Sequence, residues 1–368
     1  MKILFIDHVH PVLSERLTIA GHTCEDVSEL EGPALFAQLH DATGIVVRGR
    51  VPLDAATLGH APRLRFIARA GAGMENIDRA ECERRGIRLY NSPEGNRDAV
   101  GEHAVGMLLA LMNHLVRADR EVRGGKWRRT ANTGHELNGS TVGIIGFGRM
   151  GSAFAEKLRG FGVRTLAHDK YLSNYAPEHV EETTLDDLLA HSDVISLHLP
   201  LTAETEHFAD AGFFARCSKP IWFINTTRGP LVHTEALLDA LDNGRVRGAC
   251  LDTLEFEKRS LLGLRPDAPQ QVLRRLFKHE RVLLSPHVAG ITHESYFKLA
   301  NVLADKILND VTDGKLSSHL PCRSGRSRFG RLHLRARDPP RDTWPPRLPR
   351  PAAREHPAGL PGSSGDGL

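Results

Sequence analysis

Short apolar runs alternate with amphipathic stretches along most of this chain, and the rhythm is written twice. In the first series "KILFI", "GIVVR", "RFIAR" and "IRLYN" are separated by helix-like segments such as "PVLSERLTIAG" and "MENIDRAECERRG". The second begins at "TVGIIG" and runs through "VRTLAHD", "DVISLHLP", "IWFINTT", "GACLDT" and "RVLLSPH". Strands that alternate with helices make parallel sheets, because a parallel connection must travel back along the sheet and a helix does so compactly. Two such series in 368 residues predict an α/β chain with two doubly wound parallel-sheet domains and a cleft between them. A single long helix over 99–123 is the expected connector. Residues 1–98 would form the first domain and 99–290 the second. The helical stretch 291–320 has no strand behind it and is expected to return and complete the first domain.

Composition excludes several classes. Hydrophobic residues at 40% and charged residues at 25% are those of an ordinary globular protein. The five cysteines have neither zinc nor redox spacing, which fits free thiols in a reducing, cytoplasmic setting and predicts no metal. The N-terminal "MKILFID" reads directly as a strand, without a leader pattern. The most apolar stretch, "AVGEHAVGMLLALMNHLV", is interrupted by Glu102, His103, Asn113 and His114, so a buried helix is expected rather than a membrane span. The net charge of +3 comes from the end of the chain: ten arginines lie beyond residue 320 against four acids, leaving residues 1–320 at −3. The body therefore gives no reason to expect nucleic acid as a partner. The segment 321–368 is rich in Arg and Pro, lacks periodicity and is expected to be disordered; it reads as an appendage without selected structure or as a basic interaction arm.

The strongest local signal is "TVGIIGFGRMGSAFAEKLRGFGVRTLAHD". Gly146, Gly148 and Gly151 follow a strand and open a helix. The first permits a tight turn, the second lets a pyrophosphate approach the backbone, and the third lets helix and strand pack closely. Asp169 ends the next strand, eighteen residues after Gly151, where a carboxylate can accept hydrogen bonds from ribose hydroxyls. That acid would repel a 2′-phosphate, so NAD is the expected cofactor.

Three later strand ends carry polar groups. "INTTRGPLV" places Arg228 where a guanidinium fork can take a carboxylate. "ACLDTLEFEK" brings Asp252, Glu255 and Glu257, and "VLLSPHVAG" ends in His287 just past a strand stopped by Pro286. In parallel sheets ligands bind at the carboxyl ends of strands, so an arginine, a carboxylate and a histidine converge beside the dinucleotide site.

This set, in this order, resembles the D-isomer-specific 2-hydroxyacid dehydrogenase family over residues 1 to about 315. The motifs are "VGIIGFGRMG" with "HD", "LHLPLT", "INTTRG", "ACLD…E" and "SPHVAG". The resemblance implies that Arg228 binds the substrate carboxylate, His287 exchanges the hydroxyl proton and Glu257 orients His287. Glu255 stays open as the alternative partner. Phe147, Arg149, Met150, His198, Pro200, Thr226 and Asp252 would accompany the glycines at the cofactor. "VVRGR" and "ARAGAGMENID" resemble segments of the D-3-phosphoglycerate dehydrogenases within the family. They imply Arg48 and Arg69 at a substrate phosphate, Ala70, Gly71, Ala72 and Gly73 along the substrate backbone, and Asn96 of the hinge touching it. Alternatively, both arginines could be structural partners of Glu75 or Asp78. The expected activity is therefore NAD-dependent oxidation of a small D-2-hydroxy acid, 3-phosphoglycerate first, by a homodimer or tetramer. A glyoxylate or hydroxypyruvate reductase, or an NAD-sensing corepressor-like binding protein, are the alternatives.

Overall fold

The computed structural model describes residues 1–258 and 263–316. The segment 321–368 lies outside the described residues, as do the last residues of the expected 291–320 return. Among the described residues twelve strands form two wholly parallel sheets. The first contains β1 (Lys2–Phe5), β2 (Thr23–Asp26), β3 (Gly44–Val47), β4 (Phe66–Arg69) and β5 (Arg88–Asn91), in the order β2-β1-β3-β4-β5. The second contains β6 (Thr141–Ile145), β7 (Arg164–His168), β8 (Glu181–Glu182), β9 (Val194–Leu197), β10 (Ile221–Asn225), β11 (Val246–Leu251) and β12 (Val282–Leu284), in the order β12-β11-β10-β9-β6-β7-β8. Both orders reverse direction at one point, between β1 and β3 in the first sheet and between β6 and β9 in the second. These are the two common doubly wound arrangements, and each leaves a crevice at the strand ends where its order reverses.

Helices cover the sheets: α1 (Val12–Ile19), α2 (Gly32–Leu39), α3 (Ala55–Gly59), α4 (Arg79–Arg84), α5 (Arg97–Met112), α6 (Leu115–Arg123), α7 (Arg149–Leu158), α8 (Leu185–His191), α9 (Ala211–Arg216), α10 (Thr234–Asp242), α11 (Gln270–Lys278) and α12 (His293–Thr312). Several start where the sequence supplies a cap. Asp54, Asp78, Thr184, Asp210 and Thr292 each accept the backbone N–H three residues on, satisfying a donor the helix cannot. On the first sheet Leu303 and Ile307 of α12 join Ile3, Phe5 and Phe66 in one buried cluster. On the second, Leu108 and Leu111 of α5 pack with Val142, Ile144, Phe154 and Trp222. Among the described residues no single helix is long and apolar enough to cross a membrane.

Two sequence expectations need correction. The connector over 99–123 is not one helix: α5 and α6 meet at a 59° bend. Asn113 turns its amide onto the Leu109 carbonyl, His135 donates its N–H to Met112, and His114 takes a left-handed φ of 54°. The segment around His135 thus captures the Met112 carbonyl that would have continued the helix. Strands β2 and β8 were also not anticipated. Their residues, "TCED" and "EE", are polar and largely exposed because they are edge strands, so the apolar run that marks an inner strand is missing.

Candidate active site

The glycine turn forms as its spacing requires. Gly146 has φ +91°, and a Cβ there would lie 2.7 Å from the His198 carbonyl oxygen. A Cβ on Gly151 would lie 2.1 Å from the Gly146 carbonyl, so any side chain would push α7 off β6. At Gly148 the same construction meets nothing within 4 Å. That open space, with an α7 N-terminus lacking any side-chain cap, is what a pyrophosphate needs. Asp169 stands at the end of β7, held by the N–H groups of Phe147, Tyr171 and Leu172. The residues present therefore fit a dinucleotide.

The other expected cofactor residues are less uniform. Phe147 is buried, with its ring 5.1 Å from Tyr175, and Met150 is half-buried beside it. Pro200 is exposed, and its carbonyl accepts the Thr205 hydroxyl. Thr226 is buried, with its hydroxyl lacking a partner. Arg149 turns toward the first sheet and pairs with Glu94 at 3.3 Å, and Glu94 also holds Lys306 of α12. His198 points into the core: its Nε2 lies 2.9 Å from Ser196 Oγ, its ring packs near Phe154, and burial pushes its pKa down to about 3. Only its backbone is placed to line the glycine turn.

Asp252, expected at the cofactor, is 1% exposed and its carboxylate serves the protein's own loop. Oδ1 accepts Ser285 Oγ–H at 2.6 Å and the Val288 N–H at 2.9 Å, and Oδ2 accepts the Ala289 N–H at 2.9 Å. Its backbone carbonyl accepts the N–H of His287 at 2.7 Å. Four bonds from one residue thus tie down the turn that presents His287. They hold His287 at φ +56°, a conformation costing a non-glycine residue about 1–2 kcal/mol. Sequence spacing shows Asp252 at a strand end but not which atoms its carboxylate will meet.

His287 Nδ1 lies 2.8 Å from Glu257 Oε2, while Glu257 Oε1 accepts the Leu254 N–H at 2.6 Å. The carboxylate is thereby fixed on both oxygens. A carboxylate accepts only, so Nδ1 carries a proton and Nε2 is the ring nitrogen left to exchange one. Nε2 has no partner among the described residues. Glu255 faces elsewhere: it pairs with His207 Nε2 at 2.9 Å and accepts the Thr234 N–H at 2.8 Å. The geometry thus joins Glu257, not Glu255, to His287.

Arg228, past the end of β10, donates from Nη1 to the Thr227 carbonyl and from Nε to Glu75 Oε1 at 2.8 Å. A Cβ on Gly73 would fall within about 2 Å of both Arg228 Nη2 and Glu75 Oε2, so the pair lies directly over the Gly73 backbone. Burial works to raise the Glu75 carboxyl, but Arg228, the hydrogen bond from it and nearby Arg69 hold it below the usual carboxylate range. Arg69, at the end of β4, curls back over Gly71; its buried Nε has no partner. Burial lowers it to about 10, with Glu75 opposing and Arg228 and Arg48 adding to the shift, so it stays charged near neutrality. Arg48 follows β3 and lies over the Tyr296 ring at 5.5 Å. Neither Arg48 nor Arg69 pairs with Glu75 or Asp78 by a direct hydrogen bond; Asp78 caps α4. Asn96 packs against Gly290, just beyond His287, with its buried Oδ1 unpartnered. Ala70 is buried in the core of the first sheet.

Two acids whose roles the sequence did not reveal shape this region. Asp7, after β1, accepts the N–H groups of Arg48 and Gly49 at 2.6 and 2.8 Å and pairs with Arg50, fixing the loop that carries Arg48. Its signal was an acid ending the apolar run "KILFI". Glu75 was visible only as a nearby acid, not as the partner of an arginine 153 positions away.

The family model for the NAD-binding domain of D-isomer specific 2-hydroxyacid dehydrogenases matches residues 105–289. A D-3-phosphoglycerate dehydrogenase of Archaeoglobus fulgidus is 33% identical over 311 residues, 84% of this chain and 57% of that protein. A glyoxylate reductase of Thermofilum pendens is 37% identical over 281 residues, 74% of this chain and 80% of that one. The chain spans little more than half the length of the D-3-phosphoglycerate dehydrogenases it matches. Among solved structures, a D-lactate dehydrogenase of Aquifex aeolicus complexed with NAD and lactic acid aligns with a TM-score of 0.73 at 28% identity, covering 86% of this chain and 96% of that one. A D-lactate dehydrogenase of Treponema pallidum gives 0.73 at 29%, covering 85% and 97%. The matched domain is the one that binds NAD, and NAD is the cofactor its glycine turn and Asp169 fit. Domain, site geometry and relatives agree, and the chain belongs to the D-isomer specific 2-hydroxyacid dehydrogenase family.

Proposed function

We propose that this chain is an NAD-dependent dehydrogenase of D-2-hydroxy acids, with 3-phosphoglycerate and its 2-keto form as the preferred pair. The observation that carries the reading is the His287–Glu257 bond of 2.8 Å with Nε2 unpartnered among the described residues, at the carboxyl edge of the same sheet as Arg228, with β11 between their two strands. NAD, when bound, supplies the hydride acceptor or donor for C2. Arg228 would bind the substrate carboxylate, its planar fork matching two oxygens. His287 Nε2 would take the hydroxyl proton on oxidation and return it on reduction. Glu257 keeps the ring in the right tautomer and favours the imidazolium that forms. Support for a phosphorylated substrate comes from Arg69, whose buried Nε has no acceptor, and from Arg48 beside it. Production of the keto acid would make this an early step of serine synthesis.

One observation favours a second reading, reduction of an unphosphorylated keto acid such as glyoxylate or hydroxypyruvate: Glu75 already gives Arg69 a neighbouring negative charge. Exposed Leu115, Val116 and Val122 of α6, with Trp127, support a homo-oligomer joined through the second sheet's side. The free thiols of Cys24, Cys82, Cys217 and Cys250 support a cytoplasmic setting. The test is NADH formation with 3-phosphoglycerate, glycerate, lactate and 2-hydroxyglutarate. Turnover with 3-phosphoglycerate in preference to the others supports the first reading, preference for glycerate supports the second, and no turnover with any of them contradicts both.

A further inference from the structure

The loop that carries His287 is tied to Asp252, and that tie has a member from outside the loop. His103 of α5 lies with Nε2 3.0 Å from Ser285 Oγ and 3.6 Å from Asp252 Oδ1. Ser285 has one hydroxyl proton. Its 2.6 Å contact to Asp252 is far shorter than the 3.5 Å to Met107 Sδ, so the proton goes to the carboxylate. The hydrogen of the His103–Ser285 bond must then come from His103, giving a one-way chain: His103 Nε2–H to Ser285 Oγ, Ser285 Oγ–H to Asp252 Oδ1. The carboxylate at its end holds the N–H groups of Val288 and Ala289, on the far side of His287.

We propose that His103 is a positioning residue for His287. It acts through Ser285 and Asp252 on a turn that is held at a left-handed φ and would relax if its bonds were lost. The inference rests on the reading of His287 as the proton-transfer group. The chain also explains why a histidine interrupts the apolar connector helix. Its imidazole reaches the 285–289 turn from α5, so the position of that helix against the second sheet is passed to the group that handles the proton.

His103→Phe fills the space without a donor, and His103→Gln restores an N–H. Both would be compared with wild type and His287→Ala in turnover, in NADH binding by fluorescence, and in the low-field Nδ1–H proton resonance of His287. Positioning predicts that His103→Phe binds NADH as wild type does and loses roughly ten-fold in kcat, about one hydrogen bond's worth. It also predicts that the resonance broadens or vanishes in His103→Phe, and that His103→Gln recovers both. Unchanged kcat and resonance in His103→Phe, or a His103→Gln variant as impaired as His103→Phe, would overturn the proposal. Full activity of His287→Ala would instead remove the reading on which it rests.

Discussion

Arg228 and Glu75 form a hydrogen-bonded ion pair at 2.8 Å, joining the end of a second-sheet strand to the loop after β4 of the first sheet. The arginine assigned to the substrate carboxylate thus already holds a carboxylate of the chain itself. A substrate bound there as proposed would compete with it. Glu75→Gln is predicted to lower the KM for a 2-hydroxy acid by roughly two- to five-fold, the worth of a partly exposed pair, with kcat little changed. A higher KM would show that Glu75 supports Arg228 rather than standing in for the ligand.

Glu257 and Glu255 are two residues apart, and only Glu257 meets His287. Glu257→Gln should reduce kcat by about 10–10²-fold while NADH binding is preserved, because the ring loses the anion that favours its protonated form. Glu255→Gln should leave kcat near wild type and act on stability, through His207 and the start of α10. Steady-state kinetics of both variants with one substrate checks this; equal losses would contradict it.

The phosphate reading makes a separate prediction. If Arg48 and Arg69 hold that group, replacing either by Ala should raise the KM for 3-phosphoglycerate or its keto form roughly ten- to hundred-fold, as loss of a charge-assisted bond implies. Unphosphorylated hydroxypyruvate should be far less affected. Equal losses on both substrates would mean that the arginines are structural and would favour the glyoxylate and hydroxypyruvate reading.

What the sequence made legible depended on locality. The inner strands were readable because β-branched apolar runs fully buried in a parallel sheet look alike wherever they occur, as in "GIVV" and "TVGII". The glycine turn was readable because three close contacts fall within one strand–helix unit. The bend at His114 was not: its cause is the 133–137 segment arriving from elsewhere to take the Met112 carbonyl. The same is true of Asp252 and Glu75. Each was visible as an acid near a strand end, but its partner is set by how two sheets and their loops meet.

His198 gives the pH prediction. Buried against Ser196, it stays neutral in the fold, with its pKa lowered to about 3 from the ordinary 6.5. Below pH 6.5 the unfolded chain binds this proton and the folded one does not, so stability falls as pH falls. Between pH 7.5 and 5.5 this one group should cost on the order of 1 kcal/mol. His198→Gln should lack that component, its unfolding free energy in urea falling by that much less than wild type over the same interval. Identical pH dependence in the two proteins would show that His198 protonates within the fold.

The central claim is that His287 moves the substrate proton. The most direct measurement is turnover of the best 2-hydroxy acid by His287→Ala, with NADH binding measured on the same preparation. The account predicts unchanged binding and a loss of kcat on the order of 10²–10⁴-fold, the usual worth of a positioned acid/base. Turnover at the wild-type rate would contradict it.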